Sequence, residues 1–453
     1  MRSPRVPLKP DACRGCAFYS SGTRFVPDEI RERSPLFIVG QNPGVEEENV
    51  GAPFIGKTGI LQENVFFPLA GVVRTEVSLG NAIRCRINGS NDLPPLSEEK
   101  TQQAIQHCTR AHFRVPSACK VILSQGMYAL WMLTGKGLKP NHTLMSWRGY
   151  ALPLEHPWLG TVFRPDIWTP LPQDIVVLPT VHLAALFHDP TTAYAVKRDW
   201  AKTRRALTGS WPTRLPAIQR DEPEVWPKYS AFDTEYVVME DERPGPMTRY
   251  NLFDIESGRL WVVENAISNI GPQEIPSSPR VILHHAEADI DSLEELIGPM
   301  YELEDTMYAD SVLWSGHPHD LDYLGSLYAT TNRWKHLHSI NPIVYAGADA
   351  VATAAVWEAL EAQFKRDPES EKAYRERRLP LIPIIHKGRH VGIRTEQSRV
   401  KQAVKAIHKR QDLIQAQATA GIGWPINLQS PPQVSKWLYD YRRFPVPRAK
   451  YVR

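Results

Sequence analysis

Short apolar runs alternate with helical patterns over residues 1–207. Residues 36–39, Leu-Phe-Ile-Val, are apolar without a break and read as a strand buried on both faces of a parallel sheet. Residues 77–81, 121–123 and 175–178 predict further strands, and 98–113 and 128–133 predict helices. Residues 190–207 read as a closing basic helix. This layout predicts a doubly wound α/β domain. Residues 209–228 carry Pro212, Pro216, Pro223 and Pro227 with mixed charge and read as a linker. A second α/β pattern follows, with strands at 231–238, 260–263 and 281–284 and helices at 291–296 and 348–364. From Glu371 the chain reads as helical and basic, most clearly at 401–418. The expected divisions are 1–208, 209–228, 229–366 and 367–453, with no internal repeat.

A chain of 453 residues suits about three domains. The net charge of +3 argues only weakly for nucleic acid. No apolar run approaches the roughly 20 residues of a membrane span, and the basic N-terminus lacks the apolar core of a signal peptide. A cytoplasmic chain without a membrane partner is expected, its five cysteines reduced or metal-bound.

The stretch Gly40-Gln41-Asn42-Pro43-Gly44 follows the first strand. Open α/β sheets bind ligands at that edge. Asn42 can hold a water by its amide oxygen while Pro43 fixes the turn; Asn-Pro-Gly is equally a good turn in its own right. Cys13-x-x-Cys16, Cys85 and Cys108 can close a metal or iron–sulfur site, and spacing leaves zinc, a four-iron cluster and plain buried thiols all open. Cys119 reads as a core residue.

Taken in order, Cys13-x-x-Cys16, 40-Gly-Gln-Asn-Pro-Gly-44, 51-Gly-Ala-Pro-Phe-Ile-Gly-56, 81-Asn-Ala-Ile-Arg-Cys-85, Cys108 and 179-Pro-Thr-Val-His-182 resemble the iron–sulfur (family 4-like) uracil-DNA glycosylases. The resemblance covers nearly all of residues 10–205. It implies a 4Fe-4S cluster on Cys13, Cys16, Cys85 and Cys108, stapling the fold rather than catalysing. It also implies a pocket for a flipped uracil. Phe54 would stack on the ring, Asn81 would pair with its edge, and Gly40 and Gln41 would line the pocket. Glu47 would stand near the edge where thymine carries its methyl; Glu46 and Glu48 are the alternatives. Asn42 would position the attacking water, and His182 would donate to the uracil oxygen as the C–N bond breaks. Leu183 or Leu186 would wedge into the vacated stack. The chain departs from the family at Gln41-Asn42, where Glu and a small residue are usual, and at His182-Leu183, where His-Pro is usual.

Asp233 and Glu235 lie two apart on a predicted strand and so share a face, a pairing that suits a hard divalent ion or merely a solvated edge. With Asp289 in 284-His-His-Ala-Glu-Ala-Asp-289 and Tyr345 and Asp349 one helical turn apart, they resemble the four-acid 3′-5′ proofreading exonuclease of family A DNA polymerases, over residues 228–365. The motifs 321-Leu-Asp-Tyr-Leu-324 and Trp334-Lys335 fit that resemblance. It implies an RNase H-like α/β fold, two Mg²⁺ or Mn²⁺ ions on the four acids and a water oriented by Tyr345. His285 and Ala288 replace the usual Asn and Phe, implying an altered grip on the DNA end.

Residues 377–393 and 426–433 resemble the start and thumb of the polymerase region of the same enzymes, which makes the tail a mostly helical partial polymerase segment. Lys401, Lys405 and Lys409 form a stripe suited either to phosphates or to solvent. No stretch resembles a palm, so the expectation is a truncated or split phage-type polymerase product that adds no nucleotides and works with a separate polymerase subunit. The combined resemblance implies uracil excision from DNA and 3′-end trimming on one chain. The alternative is a reader that binds template uracil without cutting.

Overall fold

The computed structural model describes residues 9–138, 143–154, 175–209, 215–238, 244–264 and 274–445. The chain divides into two compact units, 1–384 and 385–453.

In the first unit, β1 (Leu36–Gly40), β2 (Val77–Asn81), β3 (Val121–Gln125), β4 (Leu152–Pro153) and β5 (Val176–Thr180) form a sheet in the order β2-β1-β3-β5-β4. All pairings are parallel except the edge pair β4–β5. Every residue of β1, β2 and β3 is buried. The pleat sends Phe37 and Val39 into one core with Leu130 and Met132, and Leu36 and Ile38 into another with Phe66, Phe67 and Trp200. Helices therefore cover both faces, as the unbroken apolar runs require. β1 lies between β2 and β3, so the chain switches sides there and leaves a crevice beyond the strand ends. β3 extends past the expected 121–123 through Ser124 and Gln125. Both are polar yet fully buried; Gln125 Nε2 donates to Gln62 Oε1 at 2.6 Å, while Gln125 Oε1 and the Ser124 hydroxyl have no hydrogen-bond partner among the described residues.

The second sheet is mixed, in the order β11-β10-β7-β8-β9-β6. Its strands are β6 (Ile218–Gln219), β7 (Tyr229–Val238), β8 (Pro244–Asp254), β9 (Leu260–Glu264), β10 (Arg280–Leu283) and β11 (Glu302–Asp305). β8, antiparallel to β7, was not expected: it opens on Pro-Gly-Pro and interleaves Thr248, Arg249 and Asn251 with its apolar residues. The stretch read as a linker is partly structured, since β6 pairs with β9 and Trp226 is buried beside Phe232 and Tyr250; residues 210–214, with Pro212, lie outside the described residues. The Pro342–Phe364 helix begins six residues before the expected 348 because Asn341 caps it, accepting from Val344 N at 3.2 Å. By length and composition it is long and apolar enough to cross a membrane, which corrects the expectation that no run is. Its apolar residues pack in the core, with Gly347 close against Leu260 and Val262 of β9.

Residues 367–384, read as the start of the tail, belong to the first unit. Tyr374 is fully buried, its hydroxyl donating to Glu304 Oε2 at 2.9 Å and accepting from Asp305 N at 2.9 Å. The 385–453 unit is built on the Gln397–Ile422 helix, which buries none of its residues within that unit and carries Lys401, Lys405 and Lys409 exposed.

The two sheets meet through a buried polar network. Arg148 pairs with Asp199 through two bonds, at 2.8 and 3.2 Å, and both side chains are wholly buried. Arg148 Nη1 also donates to Ser326 Oγ at 3.0 Å, and Thr180 Oγ1 donates to Asp199 Oδ2 at 2.9 Å. Lys202 Nζ donates to the carbonyls of Gly149 and Ser326, and the Tyr150 hydroxyl to that of Asp322. Removing one partner of such a pair strands the other charge without water. Asp199→Ala should therefore lower unfolding free energy by about 3–5 kcal/mol in a urea titration; a loss below about 1 kcal/mol would show that the pair is not what holds the junction.

Candidate active sites

At the crevice beyond β1, one cavity is lined by Gln41, Asn42, Gly44, Glu47, Phe54, Asn81 and His182. Four separate segments of the chain supply them, Asn81 from the end of β2. Gly40 makes the convergence possible: a Cβ there would lie 2.7 Å from Phe54 Cζ and 2.7 Å from Asn81 Oδ1. Phe54 itself has a φ of 53°, unusual for a side-chain-bearing residue. Arg74 holds that turn, Nη1 donating to Phe54 O at 2.8 Å and Nη2 to Pro53 O at 2.8 Å, while Glu29 and Glu63 pair with the same guanidinium. Gly59 packs directly beneath, where a Cβ would meet the Phe54 carbonyl.

Glu47 accepts from the backbone N–H groups of Gly44, Ile55 and Gly56 at 3.1, 3.2 and 2.9 Å, bracing two loops at once. Glu48 instead pairs with Arg86 at 3.0 Å. Asn42 donates through Nδ2 to the carbonyls of Pro43 and Asn91, each at 3.1 Å, which leaves Oδ1 to accept. His182 Nδ1 accepts from Ala184 N at 3.3 Å, so the ring proton resides on Nε2. Burial lowers the His182 pKa to about 4, against an opposing pull from Glu47, and the ring is neutral at pH 7. Leu183 is corrected: it is fully buried in the core with Leu178 and Val196, so it cannot reach into a base stack from this conformation. Leu186 is half-buried, and Phe187 on the same turn is the exposed large side chain.

Cys13, Cys16, Cys85 and Cys108 line one small cavity with Phe18, Phe25 and Ile83. Burial and the neighbouring thiols push Cys13 up to about 11 and Cys85 up to about 12. The buried Arg84 lies 3.4 Å from Cys108 Sγ and pairs with Asp28, and His112 Nε2 is 3.3 Å from Cys13 Sγ. Four soft donors around one hollow, with a guanidinium behind them, fit a thiolate-ligated centre. Cys119 is apart, buried with Sγ near Val121 O.

In the second sheet, ligand oxygens of Asp233, Glu235 and Asp349 lie within 4.8 Å of one another. Asn251, opposite Asp233 in register, donates to its Oδ2 at 2.8 Å. Asp349 Oδ1 accepts from Lys335 Nζ and Trp334 Nε1, both at 2.6 Å, and Lys335 Nζ is 3.3 Å from the Tyr345 hydroxyl. Asp289 stands outside the close trio, its Oδ1 accepting from Thr234 N at 3.1 Å. Burial and the neighbouring carboxylates raise the Asp233 pKa well above the usual range; burial, first of all, raises Asp289 to about 7. This much buried negative charge is under-compensated by one lysine and fits oxygen-ligated divalent ions.

Several supports escaped the sequence reading. Arg74 and Gly59 sit in no motif that names them. Asp305 joins the site's turn to the next helix, accepting from Ala286 N at 2.6 Å and Tyr308 N at 2.8 Å. An acid before Thr-Met-Tyr is an N-cap signal that could have found it.

A mixed parallel sheet with a polar cavity at its switch point is a ligand-binding α/β architecture, and residues 27–206 match the uracil DNA glycosylase superfamily. That region is a uracil-DNA glycosylase superfamily domain. It is similar to the type-4 uracil-DNA glycosylase of Sulfurisphaera tokodaii, at 24% identity over 195 residues, 43% of this chain and 79% of that protein. The type-4 enzyme of Thermotoga maritima is 29% identical over 151 residues, 32% of this chain and 76% of that protein. Among solved structures, Brucella melitensis NrnC with bound Mg²⁺ aligns with 38% of this chain and 92% of its own at 16% identity, with a TM-score of 0.31, a likeness too slight to argue from.

Gly40→Ala should cut uracil excision by about 10²-fold, because the added methyl displaces Phe54 or Asn81 by the better part of an ångström. Single-turnover cleavage of a uracil oligonucleotide, with circular dichroism to check the fold, measures it. An unchanged rate would mean that the two side chains do not act together.

Proposed function

We propose that residues 1–208 excise uracil from DNA and that the second domain hydrolyses DNA 3′ ends. The observation that carries the first reading is the convergence of Asn42, Phe54, Asn81 and His182 on one cavity. A flipped uracil stacks on Phe54 and pairs with the Asn81 amide. The C–N bond breaks as negative charge grows on the uracil oxygen, and His182 Nε2–H donates to it. A neutral imidazole suits this, since its Nδ1 is already held by Ala184. Asn42 Oδ1 accepts from the water that attacks the sugar carbon. Cys13, Cys16, Cys85 and Cys108 would hold a 4Fe-4S cluster, which would brace the loops around Gly15 and Arg84.

In the second domain, Asp233, Glu235, Asp289 and Asp349 would hold two Mg²⁺ or Mn²⁺ ions that stabilise the attacking and leaving oxygens of phosphodiester hydrolysis. Asn251 and Trp334 fix the orientation of Asp233 and Asp349. Lys335 links Asp349 to Tyr345, whose hydroxyl would orient the water. The basic Gln397–Ile422 helix would contact phosphates. Joining both activities on one chain brings uracil removal and end-trimming to the same DNA at high effective concentration.

Incubation with a uracil oligonucleotide followed by alkali should yield strand breaks. His182→Ala and Asn42→Ala should each slow excision by about 10²-fold or more; binding without breaks would favour a uracil reader instead. The wild-type rate should hold steady as pH falls through about 6.5. It should drop only towards pH 4, where protonation of His182 breaks the Ala184 bond; a fall centred near pH 6.5 would contradict a neutral donor. Asp233→Ala should abolish metal-dependent 3′ degradation, and persistence of that activity would remove the nuclease assignment. Anaerobically purified protein should be brown, and Cys85→Ser should bleach it; a colourless parent would count against the cluster.

A further inference from the structure

The connection between the Thr306–Leu313 and Leu321–Tyr328 helices carries two histidines two positions apart, His317 and His319. Neither lines the uracil cavity or belongs to the Asp233 cluster. Both turn back onto Asp310, and ligand atoms of the three lie within 4.8 Å of one another. Asp310 is fully buried. Its Oδ1 accepts from the Tyr328 hydroxyl at 3.0 Å. That leaves Oδ2 for the imidazoles, with His319 Nδ1 at 2.6 Å and His317 Nδ1 at 3.6 Å. His317 Nδ1 also lies 2.9 Å from Pro318 O, and its Nε2 is buried without a hydrogen-bond partner. Tyr194 stacks on His317 at 5.8 Å and 11°, and Tyr323 lies 5.2 Å from the same ring. Arg198 sits over the faces of Tyr194 and Tyr328, the cation of this neighbourhood, and is held by rings rather than by the carboxylate.

A buried carboxylate facing two imidazoles is the donor set of a borderline metal, unlike the all-oxygen cluster around Asp233. Zinc holds such ligands at about 2.0–2.2 Å in a tetrahedron, which puts ligand atoms ~3.3 Å apart. The His317–Asp310 separation is already close to that, and the His319 contact must open by less than ~1 Å. On binding, the Nδ1 proton of each ring would pass to its own Nε2, and His317 would give up its contact with the Pro318 carbonyl. The tyrosine behind Asp310 is the outer partner that orients a ligating carboxylate.

We propose that Asp310, His317 and His319 form a zinc-class site, completed by water. It pins the 314–320 connection where it meets Tyr194 of the first domain. Tyr194 and Tyr328 are hydrogen-bonded at 3.1 Å, so the site's outer shell reaches across the junction. Its three ligands belong to neither proposed catalytic cluster; His319 shares a cleft with His285 and Lys335.

The test uses the full chain, purified anaerobically, dialysed against a chelator and titrated with zinc chloride. The parent should bind one more equivalent of zinc than a His317→Gln, His319→Gln double variant, and zinc should raise the melting temperature of the parent by more than that of the variant. An Asp233→Ala chain should keep that equivalent. Crystals of the parent soaked in zinc should give an anomalous peak between Asp310 and the two imidazoles. Equal zinc content in parent and folded double variant overturns the proposal. If the variant does not fold, anomalous peaks confined to the Asp233 cluster and the cysteines overturn it instead.

Discussion

Asp199 and Arg148 are both withdrawn from water, so neither charge can stand without the other. Around this pair the first unit is assembled. Thr180, at the end of β5 and two residues before His182, donates to the same carboxylate. Ser326 of the second domain accepts from the same guanidinium. The loop that presents His182 and the helix behind the second sheet are thus referred to one ion pair. A carboxylate–guanidinium fork has a fixed geometry, so it specifies position as well as adhesion.

The two candidate sites are built on opposite principles. The cavity of the glycosylase superfamily domain is made by leaving space. Gly40 lacks the atom that would separate Phe54 from Asn81, and Gly59 lets the strained Phe54 turn sit down, with Arg74 holding its carbonyls. The carboxylate site is made by concentrating charge: three acids crowd together, a fourth stands behind Thr234, and Lys335 offsets only part of the repulsion. The first is sensitive to volume and the second to cations. The cysteine cavity combines both, with apolar walls around four donors and Arg84 behind them.

Where sequence reading and structure differ, the reason is partnership. Ser124 and Gln125 extend β3 because Pro179 and Thr180 of β5 continue the ladder beside them, with Gln62 accepting from the Gln125 amide inside the core. β8 is hidden by polar residues such as Asn251, which is buried because Asp233 faces it. The proline-rich stretch before β7 looked like a free linker, but β9 offers β6 an edge and a core receives Trp226. Leu183 looked available to DNA only because chain position does not reveal which way a turn faces. Arg74 was invisible for the same reason: its carbonyl partners lie 20 and 21 residues away.

What the chain determined unaided is its periodicity and its chemistry. Runs such as 36–39 can be satisfied only between two covered faces, and cysteines, acids and asparagines in that order limit the ligands they can meet. Only the tertiary structure decided which of those residues converge. A hydrogen bond, an excluded methyl or a shared charge depends on distance in space, and side chains 140 positions apart, such as Asn42 and His182, line one crevice only when the strands are ordered β2-β1-β3-β5.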